Sequence, residues 1–371
     1  MPQTGPPNPI QSIVAERGGV TFRDFMELAL YHPEHGYYAS GRAVVGRAGD
    51  FFTNVSVGRV YGELLAGQFL EMWERLGRPS DFVIVEQGAN DGTFAADVLG
   101  WCREEAAAFY GSMRYVIVEE FPVLRGRQAE RLAEHPGKVG WHERLDEMPA
   151  FTGVHFSNEL VDAFPVHLVR WRADGWREMH VTGDLEWREV PLKAGQLLVC
   201  LADVPQIDGY TTEVNLDALR WAKTLAARLE RGWVLAVDYG MARDRYYAPE
   251  RHSGTLQCYA AQTKGLDPLA DPGQRDLTAH VEFTSLAAAF LAAGMIFAGY
   301  TDQHHFLTGL AARAFEKHPP TSQEARGLKT LLHPEMLGTS FQVLCMSRNA
   351  PAEPLASLRF ARDGRRGLGV V

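Results

Sequence analysis

Between residues 82 and 158, apolar runs of strand length alternate with segments whose apolar residues recur every three or four positions. The pattern predicts strands over 82–86, 115–119 and 153–158, and helices over 93–105 and 122–133. It resumes later in a helix over 216–229, strands over 233–239, 295–300 and 341–347, and a helix over 283–293. Alternation of this kind implies right-handed crossovers and a mostly parallel sheet of about seven strands. The first 75 residues read differently. Thr21 is a candidate N-cap for Phe22, Phe25, Met26, Ala29 and Leu30, and Val60, Leu64, Leu65, Phe69 and Trp73 share one face of a helix over 57–75.

Two segments interrupt the rhythm. Residues 165–212 contain short alternating runs such as His167-Leu168-Val169-Arg170-Trp171, separated by Asp-Gly and Gly-Asp turns, and read as an antiparallel β insertion. Residues 241–280 form a second, irregular insertion, and long loops of this kind are commonly functional. The expected organisation is a helical extension over 1–75, an α/β domain over 76–348 with both insertions, and a peripheral tail over 349–371.

Composition narrows the function. The chain has 371 residues, 46% hydrophobic and 22% charged, as in an ordinary globular protein. Thirty-seven basic against forty-six acidic residues give a formal charge of −9, which offers no basic field for nucleic acid. Cys102, Cys200, Cys258 and Cys345 are scattered without metal-ligand spacing, which fits reduced thiols and a cytoplasmic setting. The N-terminus has no signal-peptide pattern, and the most apolar window, over 285–299, is too short to span a bilayer. No metal site is expected: His304 and His305 are adjacent and have no spaced partner.

Ligands of an open parallel sheet bind at the carboxyl ends of its strands. Those ends carry Glu86 with the loop Gly88-Ala89-Asn90-Asp91-Gly92-Thr93, then Glu119, then Asn158-Glu159, then Asp238-Tyr239-Gly240. Gly88 and Gly92 are four apart, which departs from the G-x-G-x-x-G spacing of dinucleotide sites. The segment resembles instead the E-x-G-x-G-x-G first-strand loop of S-adenosylmethionine-dependent methyltransferases. Asn90 stands at the middle glycine, and Asn enters the left-handed region cheaply. Glu86, Gly88, Asn90, Gly92, Thr93 and Asn158 are the candidate cofactor-binding residues. Glu119 joins them because a carboxylate can accept both ribose hydroxyls.

The chain as a whole resembles the MidA-like family of class I methyltransferases. The matches, in order, include Ala29-Leu30-Tyr31-His32-Pro33, Gly49-Asp50-Phe51, Val118-Glu119 with Leu124-Arg125 and Gln128, Asn158-Glu159 with Asp162-Ala163, Asp238-Tyr239-Gly240, and Asp276-Leu277-Thr278-Ala279-His280-Val281. The resemblance implies a Rossmann-like fold, S-adenosylmethionine as methyl donor, S-adenosylhomocysteine as product, and an arginine guanidinium as acceptor. Carboxylates can orient a guanidinium bidentately, and Glu159, Asp162 and Glu213 are the candidate catalytic acids. The chain departs from the family in the loop after Glu86 and at Thr53-Asn54-Val55-Ser56, which leaves the acceptor more open than the cofactor. A small-molecule methyltransferase of specialised metabolism and a non-catalytic assembly protein retaining the fold stay in view. The expected partner is a protein or small-molecule methyl acceptor, with neither nucleic acid nor membrane insertion, and a homodimer is left open. His32 and His280 can act near a substrate, with a capping or turn role the stronger reading of each, and the aromatic cluster Tyr31, Tyr37, Tyr38, Phe51 and Phe52 is core by default with a fraction of it available to wall the channel.

Overall fold

The computed structural model describes residues 8–40, 54–260, 263–264, 267–316, 319–361 and 364–370. Gly49-Asp50-Phe51, Phe52 and Thr53 lie outside the described residues.

A seven-stranded path forms the centre of the fold. In chain order its strands are β1 (Phe82–Gln87), β2 (Met113–Val118), β3 (Val139–His142), β4 (Phe151–Asn158), β5 (Leu229–Met241), β6 (Ile296–Asp302) and β7 (Phe341–Arg348). Their spatial order is β3-β2-β1-β4-β5-β7-β6. The first five are mutually parallel. β7 runs antiparallel between β5 and β6. A two-residue strand, Val281–Glu282, extends the end of β5 in parallel. The strand order reverses between β1 and β4, so their carboxyl ends open the crevice where such sheets bind ligands.

Helices cover both faces, which explains why the central strands are apolar on both sides. Val60–Arg75, Thr93–Glu105 and Gln303–Ala314 enclose one core with Phe82, Ile84, Phe156 and Leu235. Leu216–Arg228 and Phe283–Ala292 enclose the other with Val83, Val85, Val234 and Leu344. Asn215 accepts from the Ala218 N–H at 2.8 Å and caps the Leu216–Arg228 helix. Its buried stripe is Trp221, Ala222, Leu225 and Ala226.

The β insertion is a separate antiparallel sheet of five strands, and it includes Val20–Thr21 paired with Val181 and His180. A purely helical reading of the first 75 residues missed that strand because two residues carry no periodicity. Phe22, Phe25 and Met26 pack with Leu168, Met179 and Leu277, whereas the Val60–Arg75 helix belongs to the core of the central sheet. No single extension therefore ends at residue 75. Nor is the second insertion irregular: Gln257–Ala260 pairs with Thr263–Lys264 and with Asp276–Thr278. The tail is not peripheral, since Leu355, Leu358, Leu368 and Val370 are buried in the two main cores. No helix among the described residues is long and apolar enough to cross a membrane.

Candidate active site

β1 delivers Glu86 and Gln87 to a turn in which Gly88, Asn90 and Gly92 have φ of 83°, 46° and 82°. Asn90 thus adopts the left-handed conformation that the spacing requires. The Asp91 carboxylate accepts from the Thr93 N–H at 3.1 Å and the Thr93 hydroxyl at 2.7 Å, which starts the next helix. Gln128, fully buried, locks this turn to the end of β2. Its amide donates to the Asn90 carbonyl at 2.8 Å and to Glu119 Oε2 at 3.2 Å, while its oxygen accepts from Trp141 Nε1 at 2.9 Å.

Glu119 Oε1 also accepts from the Phe121 N–H at 3.0 Å. Each carboxylate oxygen therefore has one partner and keeps a lone pair for another donor. Burial pushes the Glu119 carboxyl up to about 7 against those two donors. Glu86, at the floor of the same crevice, accepts from the Tyr115 hydroxyl at 2.7 Å, and burial raises its carboxyl to about 8.

At the end of β4, Asn158 Oδ1 accepts from Asn54 Nδ2 at 2.9 Å and the Tyr61 hydroxyl at 2.8 Å. Its own amide donates to Glu159 Oε1 at 2.9 Å. Gln303 Nε2 completes the chain by donating to Asn54 Oδ1 at 2.8 Å. Asn54 falls within the Thr53–Ser56 departure, and it supports Asn158 directly. Glu159 itself has φ of 55°, a costly conformation for a residue with a side chain.

Asp238 holds that conformation. One of its oxygens accepts from the N–H groups of Leu160, Val161 and Asp162 at 3.2, 2.8 and 3.3 Å, and the other from Tyr239 at 2.9 Å. The 159–162 turn is therefore wrapped around a buried carboxylate. Burial raises Glu159 to about 8, with the Asp238 charge adding to it. Glu159 is only part-buried by surface area, but the surface it exposes faces a deep cavity, where desolvation persists. Asp162 is raised well above the ordinary range by burial, then by Asp238, Glu159 and Asp276.

These groups share one cavity of 2010 Å³, whose walls include Glu86, the Gly88–Asp91 turn, Thr93, Glu119, Asn158, Glu159 and Asp162. Gly92 stands just behind it, where an added Cβ would meet Gln128 at 3.4 Å. Tyr31, Tyr37 and Tyr38 also line it. The Tyr31 hydroxyl donates to the Ala163 carbonyl and the Tyr38 hydroxyl to Asp276 Oδ1, each at 3.0 Å. Alternation along the following strand brings Asp276, Thr278 and His280 to the cavity while Leu277, Ala279 and Val281 are buried. His280 stacks on Tyr239 at 6.3 Å, and burial lowers its imidazole to about 4.

One expected catalytic acid is misplaced by the sequence reading. Glu213 does not line the cavity but lies in the insertion sheet, 1% exposed. Its oxygens accept from the N–H groups of Thr255 and Leu256, the Thr255 hydroxyl and the Tyr246 hydroxyl. It is a buried anchor for the 254–256 turn. His304 and His305 serve the fold, contacting the Leu332 carbonyl and Asp302, and no metal-binding cluster occurs among the described residues. The sequence reading gave no role to Asn54, Tyr61 or Gln128. Gln128 had a signal as one of the ordered family matches, and Asn54 stood in the Thr53–Ser56 departure; Tyr61 had none.

A seven-stranded sheet of this order, with a left-handed turn after β1 and an acid after β2, defines a Rossmann-like class I methyltransferase. Residues 64–301 match the family described as putative S-adenosyl-L-methionine-dependent methyltransferase, and the chain belongs to that family, the MidA-like methyltransferases. It is 29% identical over 377 residues to the fruit fly protein arginine methyltransferase NDUFAF7 homolog, mitochondrial, covering 91% of this chain and 83% of that one. The human protein arginine methyltransferase NDUFAF7, mitochondrial, is 26% identical over 396 residues, covering 95% and 85%. A crystal structure of a superfamily member from Burkholderia thailandensis, bound to S-adenosyl-homocysteine, superposes with a TM-score of 0.85 at 29% identity, covering 97% of this chain and 99% of that chain. The protein is an S-adenosylmethionine-dependent methyltransferase. The side chains present suit that cofactor: Glu119 has free acceptor positions and Gly88 leaves room beside Leu160.

Proposed function

We propose that the acceptor is a protein arginine guanidinium, held by Glu159 and Asp162. The observation that carries this reading is the pair of carboxylates at the end of β4, in a cavity walled by Tyr31, Tyr38 and Tyr239. A guanidinium is planar, always cationic and rich in donors, so it suits paired carboxylates and aromatic faces together. The names of the fly and human relatives support the same choice.

In this scheme the Gly88–Thr93 turn, Glu119 and Asn158 hold the cofactor. S-adenosylmethionine supplies, when bound, a methyl group already activated on a sulfonium. Glu159 and Asp162 would bind the non-reacting nitrogens, concentrate the positive charge there and leave the third nitrogen free for in-line attack; the N–C bond forms as the sulfonium S–C bond breaks, and the proton lost from that nitrogen passes through the Glu159 carboxylate to solvent. Asp238 keeps both acids in place through the backbone. The tyrosine wall lowers the polarity beside the acids, which strengthens the ionic contacts.

The test is Glu159→Gln, assayed with labelled S-adenosylmethionine and a native protein extract, with S-adenosylhomocysteine affinity measured by calorimetry. We expect unchanged affinity and a loss of methyl transfer of about a hundredfold. Undiminished transfer would remove Glu159 from the reaction, and label confined to small molecules would overturn the protein acceptor.

A further inference from the structure

The cavity is larger than the roughly 300–1,000 Å³ that encloses one small ligand. Its walls take in, besides the acids of the site, residues at the ends of β5 and β6 and at the start of β7. Arg245, Thr301, Asp302 and Gln342 belong to this lining, and so do Gly364 and Gly367 of the C-terminal segment.

That segment is a built wall. A Cβ on Gly364 would lie 2.4 Å from the Tyr300 carbonyl oxygen, so only glycine lets the backbone lie flat on β6. Leu368 and Val370 are buried, and Thr284 Oγ1 donates to the Leu368 carbonyl at 2.9 Å. Gly367, between these anchors, is exposed, and no atom lies within 4 Å of where its Cβ would stand. It therefore borders open space. Arg245 is exposed and close enough to Tyr300 to act electrostatically on its hydroxyl, as Glu282, Asp302 and Asp244 do with opposite sign. Asp302 is already paired with His305.

We propose that this part of the cavity is a groove that seats the polypeptide beside the methylated residue, as an extended segment with an acidic side chain opposite Arg245. The proposal rests on the protein-acceptor reading above. Continuity with the Glu159 end of the cavity favours an elongated occupant over a compact one. Hydroxyl and amide groups along the walls suit the alternating N–H and C=O groups of an extended backbone. A formal charge of −9 disfavours a nucleic acid.

The experiment compares the full chain with Gly367→Trp, which adds bulk to the lining, and Arg245→Glu, which reverses its cation. Each is given labelled S-adenosylmethionine with a native protein extract and, separately, with N-acetyl-arginine amide. Calorimetry with S-adenosylhomocysteine reports whether the cofactor site is intact. We expect equal cofactor affinity and equal labelling of the small amide, with polypeptide labelling reduced about tenfold in both variants. Wild-type polypeptide labelling by both variants would overturn the groove while leaving the arginine reading intact. A wild-type protein that labels no polypeptide would overturn both. Should Gly367→Trp lose cofactor binding, Arg245→Glu decides, because its side chain is exposed.

Discussion

Asp238→Asn separates the support of the site from its chemistry. The wild-type carboxylate takes four backbone N–H groups, three on one oxygen and Tyr239 on the other. An asparagine oxygen can serve the first three, but its amide nitrogen then faces the Tyr239 N–H. A buried donor without an acceptor costs about 1–3 kcal/mol, and the remaining bonds lose their charge assistance. Relief of repulsion between Asp238 and Asp162 offsets part of this. We estimate a net destabilisation of about 2 kcal/mol. The larger effect is expected on rate, since the turn carrying Glu159 and Asp162 loses its template, and a shift of about 1 Å costs roughly a hundredfold. The assay is urea unfolding together with turnover and S-adenosylhomocysteine calorimetry at about pH 8, because burial raises the Asp238 carboxyl to about 7 and it must be ionised. As pH falls through that value the folded wild type takes up a proton that the unfolded chain does not yet bind, so wild type gains stability that the asparagine variant cannot and the difference should widen. Wild-type turnover in a destabilised variant would refute the idea that Asp238 sets the geometry of the acids.

Three further outcomes are expected. Gly88→Val should abolish S-adenosylhomocysteine binding in calorimetry, because the position has φ of 83° and its Cβ would stand 3.4 Å from Leu160 Cδ1; retained affinity would show that the turn adapts. The acceptor KM should fall as pH rises toward about 8, where Glu159 ionises without help from the bound cation; a flat profile would point to a charge fixed elsewhere. His155, fully buried with neither ring nitrogen bonded, is lowered from 6.5 to about 3. The unfolded chain takes up that proton first, so stability drops by up to about 1.4 kcal/mol per pH unit below 6.5. Against wild type, His155→Leu should flatten the acid side of a urea-midpoint profile, and parallel profiles would exclude this account.

The central sheet was legible because its strands are buried on both faces and read as apolar runs ending in acids. β3 was not, since its four residues are all half-buried and show neither a run nor an alternation. The site was partly legible for a related reason. Glu86, Glu119 and Glu159 follow apolar strands, and chain position alone brings them to one edge. Glu213 also follows a buried run, but sequence does not reveal whether a strand acid faces a cavity or a neighbouring backbone. Here the neighbouring 254–256 turn supplies the donors. Asn54 and Gln303 act across 249 positions, a separation at which no local pattern exists.

The placement of β7 between β5 and β6 bears on how the chain matures during synthesis. Translation delivers β6 well before β7, yet among the described strands β6 pairs only with β7. Until residues 341–348 leave the ribosome, β5 presents an unpaired apolar edge and β6 has no seat in the sheet. Such an edge is a template for intermolecular pairing. The nascent protein should therefore depend on chaperone protection until its last strand emerges, and truncation before that point should yield aggregates rather than a smaller enzyme.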